Sequence, residues 1–125
     1  MIFFLELAQV EALHDDQIER YGGLPGVRDR GGLEGMVARV QMQHYYDNVS
    51  DLFELAAAYL LAVSRGHCFS DANKRTALAC AEVFLLMNGI DLTFPPGLED
   101  YIAECAQGLH DRPEVAGRLR QLAAP

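Results

Sequence analysis

Two stretches, "DLFELAAAYLLAVSRG" (51–66) and "ANKRTALACAEVFLLMNG" (72–89), constrain the fold more than anything else in the chain. Leu52, Leu55, Ala56, Tyr59, Leu60 and Val63 repeat at helical intervals in the first. Thr76, Ala77, Cys80, Phe84 and Met87 do so in the second, which is apolar nearly all round. A helix of that kind is stable only when neighbours cover it on every side. The second stretch therefore predicts a central helix, with the first packed beside it and only Gly66 to Asp71 to join them. Ser50 is the expected N-cap of the first, followed by Asp51 and Glu54 in the opening turn, and Asn88-Gly89 closes the second.

Other helices follow from weaker patterns. Val10, Leu13, Ile18 and Tyr21 mark one that stops at Gly22-Gly23; Leu33, Met36, Val37 and Val40 mark another that ends before "QHYYDN". Tyr101 to Gln107 and Glu114 to Leu122 supply two more. "GGLPGVRDRGG" reads as a surface loop, long enough to be suspected of function. "IFFL" at the N-terminus fits an edge strand or the start of the first helix, and "IDLTFPPG" is extended at most, breaking at Pro95-Pro96. Nothing alternates as a sheet requires. The expected fold is all-α, a compact bundle of about six helices forming a single domain over residues 1–125.

Charge narrows the partners. A formal net charge of −8 and a pI near 4.8 would repel a polyanion, because nucleic-acid affinity comes from many Lys and Arg contacts that release counterions. No direct nucleic-acid partner is expected. The opening residues lack a basic n-region and a long apolar stretch, so neither a signal peptide nor a membrane anchor is expected. Cys68, Cys80 and Cys105 form an odd set without a CxxC pair, which indicates neither a disulfide framework nor a zinc site and makes the cytoplasm the natural compartment.

Against that acidic background, "RGHCFSDANKRTA" gathers cations at the start of a helix. The first-turn N–H groups of a helix have no internal partners and sit at the positive end of its dipole, so this junction is a ready anion site, and Lys74 and Arg75 make it a phosphate site. Both side chains are unfavourable there for the helix alone. Extension into solvent is the common fate of such a pair, but His67 and Asp71 lie beside it. One carboxylate is enough to hold Mg²⁺ together with substrate phosphates, and an imidazole can take a proton from a hydroxyl. Each has a plainer reading, Asp71 as an N-cap and His67 as a hydrogen-bonded helix-end residue. Phe69 would pin the loop to the core, and Asn73 would bond either the loop backbone or a phosphate.

"HCFSDANKRTA" resembles the Fic motif in its lysine form, that of the Doc toxins, and the likeness runs from "ALHDDQIERYGGLPGVRD" to "FLLMNG". Resemblance to the Fic/Doc family implies a helical toxin component of a toxin-antitoxin system that uses ATP and Mg²⁺ to modify a hydroxyl on another protein. It implies His67 as general base, Asp71 as the Mg²⁺ ligand, and Ser70, Ala72, Asn73, Lys74 and Arg75 as nucleotide contacts, with Lys74 and Arg75 also in the catalytic set. In Doc toxins the product is a phosphorylated threonine of elongation factor Tu; in most of the family it is an adenylylated target. Lys74, where the adenylylating branch usually has glycine, favours phosphorylation.

A self-inhibitory Ser-x₃-Glu helix is not apparent, since Leu55 follows Ser50 and Glu54 where Gly or Asn is needed, so the resemblance implies a small antitoxin acting in trans. Two other readings stay open. The dipeptides His14-Asp15 and His110-Asp111 suggest a metal-dependent phosphohydrolase, although only His44 and His67 remain to complete a ligand set. A catalytically silent antitoxin-binding module is the third. His14 is expected to pack at a helix end, with His44 and His110 solvated.

Overall fold

The computed structural model describes residues 1–124. Six helices follow one another, α1 (Leu7–Tyr21), α2 (Arg30–Asp47), α3 (Leu52–Gly66), α4 (Asn73–Met87), α5 (Leu98–Ala106) and α6 (Arg112–Leu122). Among the described residues there is no sheet, only two isolated bridges, Val27 with Phe69 and Leu92 with Ala123. All six helices contribute side chains to one apolar core. Among the described residues no helix is long and apolar enough to cross a membrane.

The hairpin of α3 and α4 organises the bundle, but α3 is the more enclosed partner. It touches α2, α4, α5 and α6, and its run from Leu55 to Leu61 is buried without a break. The alanines at 56–58 have no bulk to hold neighbours away, so helices can approach on several sides. The fourth helix leaves Leu86 exposed and Glu82 half-buried, which gives it one wet edge that its apolar pattern had not marked.

Caps account for several boundaries. Asp51, not Ser50, caps α3, its carboxylate accepting from the N–H groups of Phe53 (2.8 Å) and Glu54 (3.2 Å); an ionised acceptor at the positive pole outcompetes a hydroxyl one residue earlier. Asp29 caps α2 by accepting from Gly32 at 2.9 Å. The helix thus begins at Arg30, inside the glycine-rich stretch expected to be loop. A Cβ at Gly32 would sit 2.4 Å from the Asp29 carboxylate, so the close cap needs glycine.

At its other end α2 runs on through "QHYYD" to Asp47, three residues beyond His44. Phe4 is the reason: its ring lies 5.5 Å from that of His44 and 6.1 Å from those of Tyr45 and Phe84. A segment that looked polar therefore has an apolar partner from the N-terminus. The "IFFL" residues form neither an edge strand nor the start of α1, and their backbone pairs with side chains instead. Asn88 accepts from the Phe3 N–H and donates to the Phe3 carbonyl, both at 2.9 Å, and the Tyr59 hydroxyl accepts from Leu5 at 3.1 Å. The segment after α4 is likewise tied down, Thr93 donating to the Leu122 carbonyl at 2.8 Å.

Candidate active site

The link between α3 and α4 is framed by two residues in the left-handed region, His67 (φ 50°) and Ala72 (φ 62°). Histidine is tolerated there, whereas for alanine the conformation costs about 1–2 kcal/mol. The loop between them is held from inside by Phe69, 1% exposed, and burying a phenylalanine is worth about 1.5–3 kcal/mol. Asn73 holds it from α4, its amide oxygen accepting from the Phe69 N–H at 3.2 Å and its nitrogen donating to the Phe69 carbonyl at 3.1 Å.

A second segment, residues 22–29, lies antiparallel against this loop. Arg28 and Asp29 both donate to the Cys68 carbonyl, at 2.7 and 3.0 Å, and Ser70 donates to the Gly26 carbonyl at 3.1 Å. Leu24 donates to Asp71 Oδ2 at 3.0 Å. The glycine-rich stretch is thus one wall of the site. Gly23 makes the approach possible: at φ 122° a Cβ there would lie 2.7 Å from Asp71 Oδ2.

Gly23→Ala is accordingly expected to cost about 1–3 kcal/mol from backbone strain, plus a clash that Gly22→Ala lacks, since a Cβ at Gly22 meets nothing within 4 Å. Chemical denaturation of both variants measures the difference. Equal losses would mean that the Asp71 carboxylate moves aside freely.

Together these elements leave a cleft of about 270 Å³ lined by His67, Ser70, Asp71, Asn73, Lys74 and Arg75, with small residues behind. The N–H groups of Asn73, Lys74 and Arg75 find no acceptor among the described residues, so three donors at the positive end of α4 face an anion-sized space. Lys74 is exposed at the rim, paired with no carboxylate among the described residues. Arg75 turns toward the C-terminal end of α1, donating to the carbonyls of Gln17 (3.2 Å) and Gly22 (2.9 Å). That negative helix pole is what offsets a cation in the first turn of α4. Two of its five donors are used there.

Asp71 accepts from Leu24 with one oxygen and from Ala72 (2.8 Å) with the other. These two backbone bonds hold its carboxyl below the usual range, with smaller help from the Arg75 and His14 charges. It is not the cap of α4, a place taken by Ala72. An ionised carboxylate beside free N–H donors fits the way Mg²⁺ is held, by one or two carboxylates together with phosphate oxygens. Each oxygen retains a lone pair for a cation.

His67 is exposed and hydrogen-bonds no other group among the described residues, which sets aside the reading of a tethered helix-end histidine. Its ring lines the same cleft as Lys74, free to meet a hydroxyl.

The other histidines differ from expectation. His14 sits in the middle of α1, 1% exposed, with Nε2 2.8 Å from the Asp71 carbonyl oxygen. It was expected to pack at a helix end; instead Val10 and His14, four residues apart, form the buried face of the helix. His44 is tied to the Val49 carbonyl at 2.9 Å, and His110 lies between Glu104 (2.8 Å) and Glu114 (3.3 Å), both of which raise its pKa. With His14 and His110 so engaged, the phosphohydrolase ligand set does not form; among the described residues no group of three His, Cys, Asp or Glu is arranged to hold a metal ion.

Comparison with known proteins matches residues 4–85 to the Fic/DOC family. Over 111 residues, 89% of this chain and 88% of the relative, the sequence is 49% identical to "Protein kinase doc" of Escherichia phage P1. It is 39% identical over 108 residues to "Toxin Doc" of Mycolicibacterium smegmatis, covering 83% of each.

Proposed function

The chain belongs to the Fic/DOC family, and on that premise we propose that it is a toxin kinase that transfers the γ-phosphate of ATP to a threonine hydroxyl of elongation factor Tu and so halts translation. The observation that carries the reading is the cleft itself, in which three acceptor-free N–H groups and Lys74 lie beside an untethered imidazole, His67. Phosphate oxygens would take the N–H groups of Asn73, Lys74 and Arg75, and Lys74 would neutralise charge at the rim. Ser70 and Ala72 line the same cleft.

His67 would accept the threonine proton as the hydroxyl oxygen bonds to the γ-phosphorus and the bond to the β-bridging oxygen breaks, releasing ADP. Asp71 would hold Mg²⁺, which supplies charge neutralisation on the phosphates. A loose phosphoryl-transfer transition state needs alignment and neutralised charge more than covalent help. Asn73 serves that alignment by fixing the loop, and Arg75 by locking α4 to α1 while keeping donors for a phosphate.

Restraint falls to a small antitoxin bound in trans. The acid with the spacing of a self-inhibitory glutamate, Glu54, pairs with Arg112 at 3.0 Å near the far end of α3, about 20 Å from His67 at about 1.5 Å per residue. It does not reach the cleft.

The test is the intact mass of elongation factor Tu after incubation with this protein, ATP and Mg²⁺. A gain of one phosphate is expected. A gain of one AMP would replace the kinase by an adenylyltransferase. If no mass is gained and Mg-ATP does not raise the melting temperature, as any ligand of the native state must, the chain is a silent binding module.

A further inference from the structure

We infer that His14 is a positioning residue for this transfer, one that fixes the Asp71–Ala72 peptide on which the cleft is built. The inference rests on the phosphotransfer reading only for its consequence on rate. His14 does not line the cleft, and no step of the reaction needs it there.

The Asp71 carbonyl can only accept, so the imidazole nitrogen 2.8 Å away, Nε2, carries the proton. The N–H of the same peptide unit, that of Ala72, donates to Asp71 Oδ1 at 2.8 Å. One peptide is therefore gripped at both ends, and it leads into Ala72 at φ 62°. A non-glycine residue stays in that region only where its surroundings over-determine it. Removing the His14 donor leaves a part-buried carbonyl without its partner and frees the peptide to turn. Such a turn would carry the Asp71 carboxylate off Leu24 and re-aim the first N–H groups of α4.

The same ring does a second task. It lies parallel to Phe69, centroids 3.9 Å apart and planes at 6°, so one side chain of α1 meets the loop on both sides of Ser70. Arg75 reaches back to α1 at Gln17 and Gly22. The first helix thus acts as the jig for the loop, with His14 the only group in it that bonds the loop backbone directly among the described residues.

Two variants separate the tasks. His14→Phe keeps a flat ring against Phe69 and removes the donor, whereas His14→Gln keeps an N–H at comparable reach and gives up the ring. For His14→Phe, kcat is expected to fall by about a hundredfold, the scale of an ångström-sized misplacement, with the KM for ATP changed by less than about threefold. For His14→Gln, kcat is expected to return to within about tenfold of wild type.

Amide hydrogen exchange reads the loop without reference to transfer. In His14→Phe the N–H groups of Phe69, Ser70 and Ala72 are expected to exchange at least about tenfold faster, with the α3 and α4 interior unchanged. Wild-type exchange at those amides, or wild-type kcat, overturns the inference. Should the phenylalanine variant not fold, the glutamine variant decides alone: loop exchange and kcat near wild type support the donor, and loss of both at an unchanged melting temperature overturns it. If the unmodified protein transfers nothing to any acceptor, the kinase reading falls while exchange still settles whether His14 holds the loop.

Discussion

His67→Ala is expected to lower transfer by about a hundredfold to ten-thousandfold, the usual contribution of a positioned general base, and to leave the fold intact. The two halves of that expectation have separate grounds. The side chain is exposed and bonds no other group among the described residues, and surface substitutions of that kind usually stay within about 0.5 kcal/mol. Histidine is tolerated at φ 50°, and alanine there adds at most about 1–2 kcal/mol of backbone strain, too little to unfold the domain.

In the proposed mechanism the variant would lose the acceptor for the hydroxyl proton. Neighbouring Asp71 is a poor substitute, because the backbone bonds from Leu24 and Ala72 push its pKa down, which makes it a weak base. A single-turnover assay with purified acceptor, alongside melting curves of both proteins, measures the effect. A variant that transfers at the wild-type rate would remove His67 from the mechanism.

How much of this was legible in the sequence depended on how far apart the determining residues lie. The α3–α4 hairpin could be read because the apolar repeat that makes each helix is contained within it. The same holds for the acceptor-free N–H groups of the candidate anion site, a property of one helix end. The continuation of α2 past Val40 could not be read, since its cause is Phe4, forty residues away in the chain in round terms and packed on His44 and Tyr45. His14 and Asp71 are 57 residues apart.

Asn73 shows a different limit: an amide has both donor and acceptor, and only the position of Phe69 decides that its polar atoms turn to the backbone. Ser50 was the expected cap, and the place went instead to Asp51, whose charge meets the dipole. The Gly22–Asp29 segment was recognisable as a loop, but its docking on Cys68 and Ser70 depends on the positive φ and the close approach at Gly23, which composition does not encode.

Asp71→Asn is the other substitution with a large expected effect, and it tests the metal and the loop together. The carboxylate accepts one N–H at each oxygen, from Leu24 and from Ala72. An asparagine keeps the shape but has one oxygen, so whichever way its amide turns, an NH₂ group faces one of those N–H donors. The charge that would hold Mg²⁺ is lost as well.

Transfer is expected to fall by at least about a hundredfold, and the Mg²⁺ needed for half-maximal rate to rise by at least about tenfold. The wild-type carboxyl has its pKa depressed by the Leu24 and Ala72 bonds, so the folded state binds its proton less readily than the unfolded chain. Its stabilising contribution is present above the ordinary aspartate value of about 3.9 and lost as pH falls through the lower folded value. Between pH 6 and pH 8, approximate limits well above both values, the melting-temperature difference between wild type and Asp71→Asn should therefore stay constant. A rate loss with unchanged Mg²⁺ demand would leave Asp71 as a loop anchor only, and an unchanged rate would remove it from both roles.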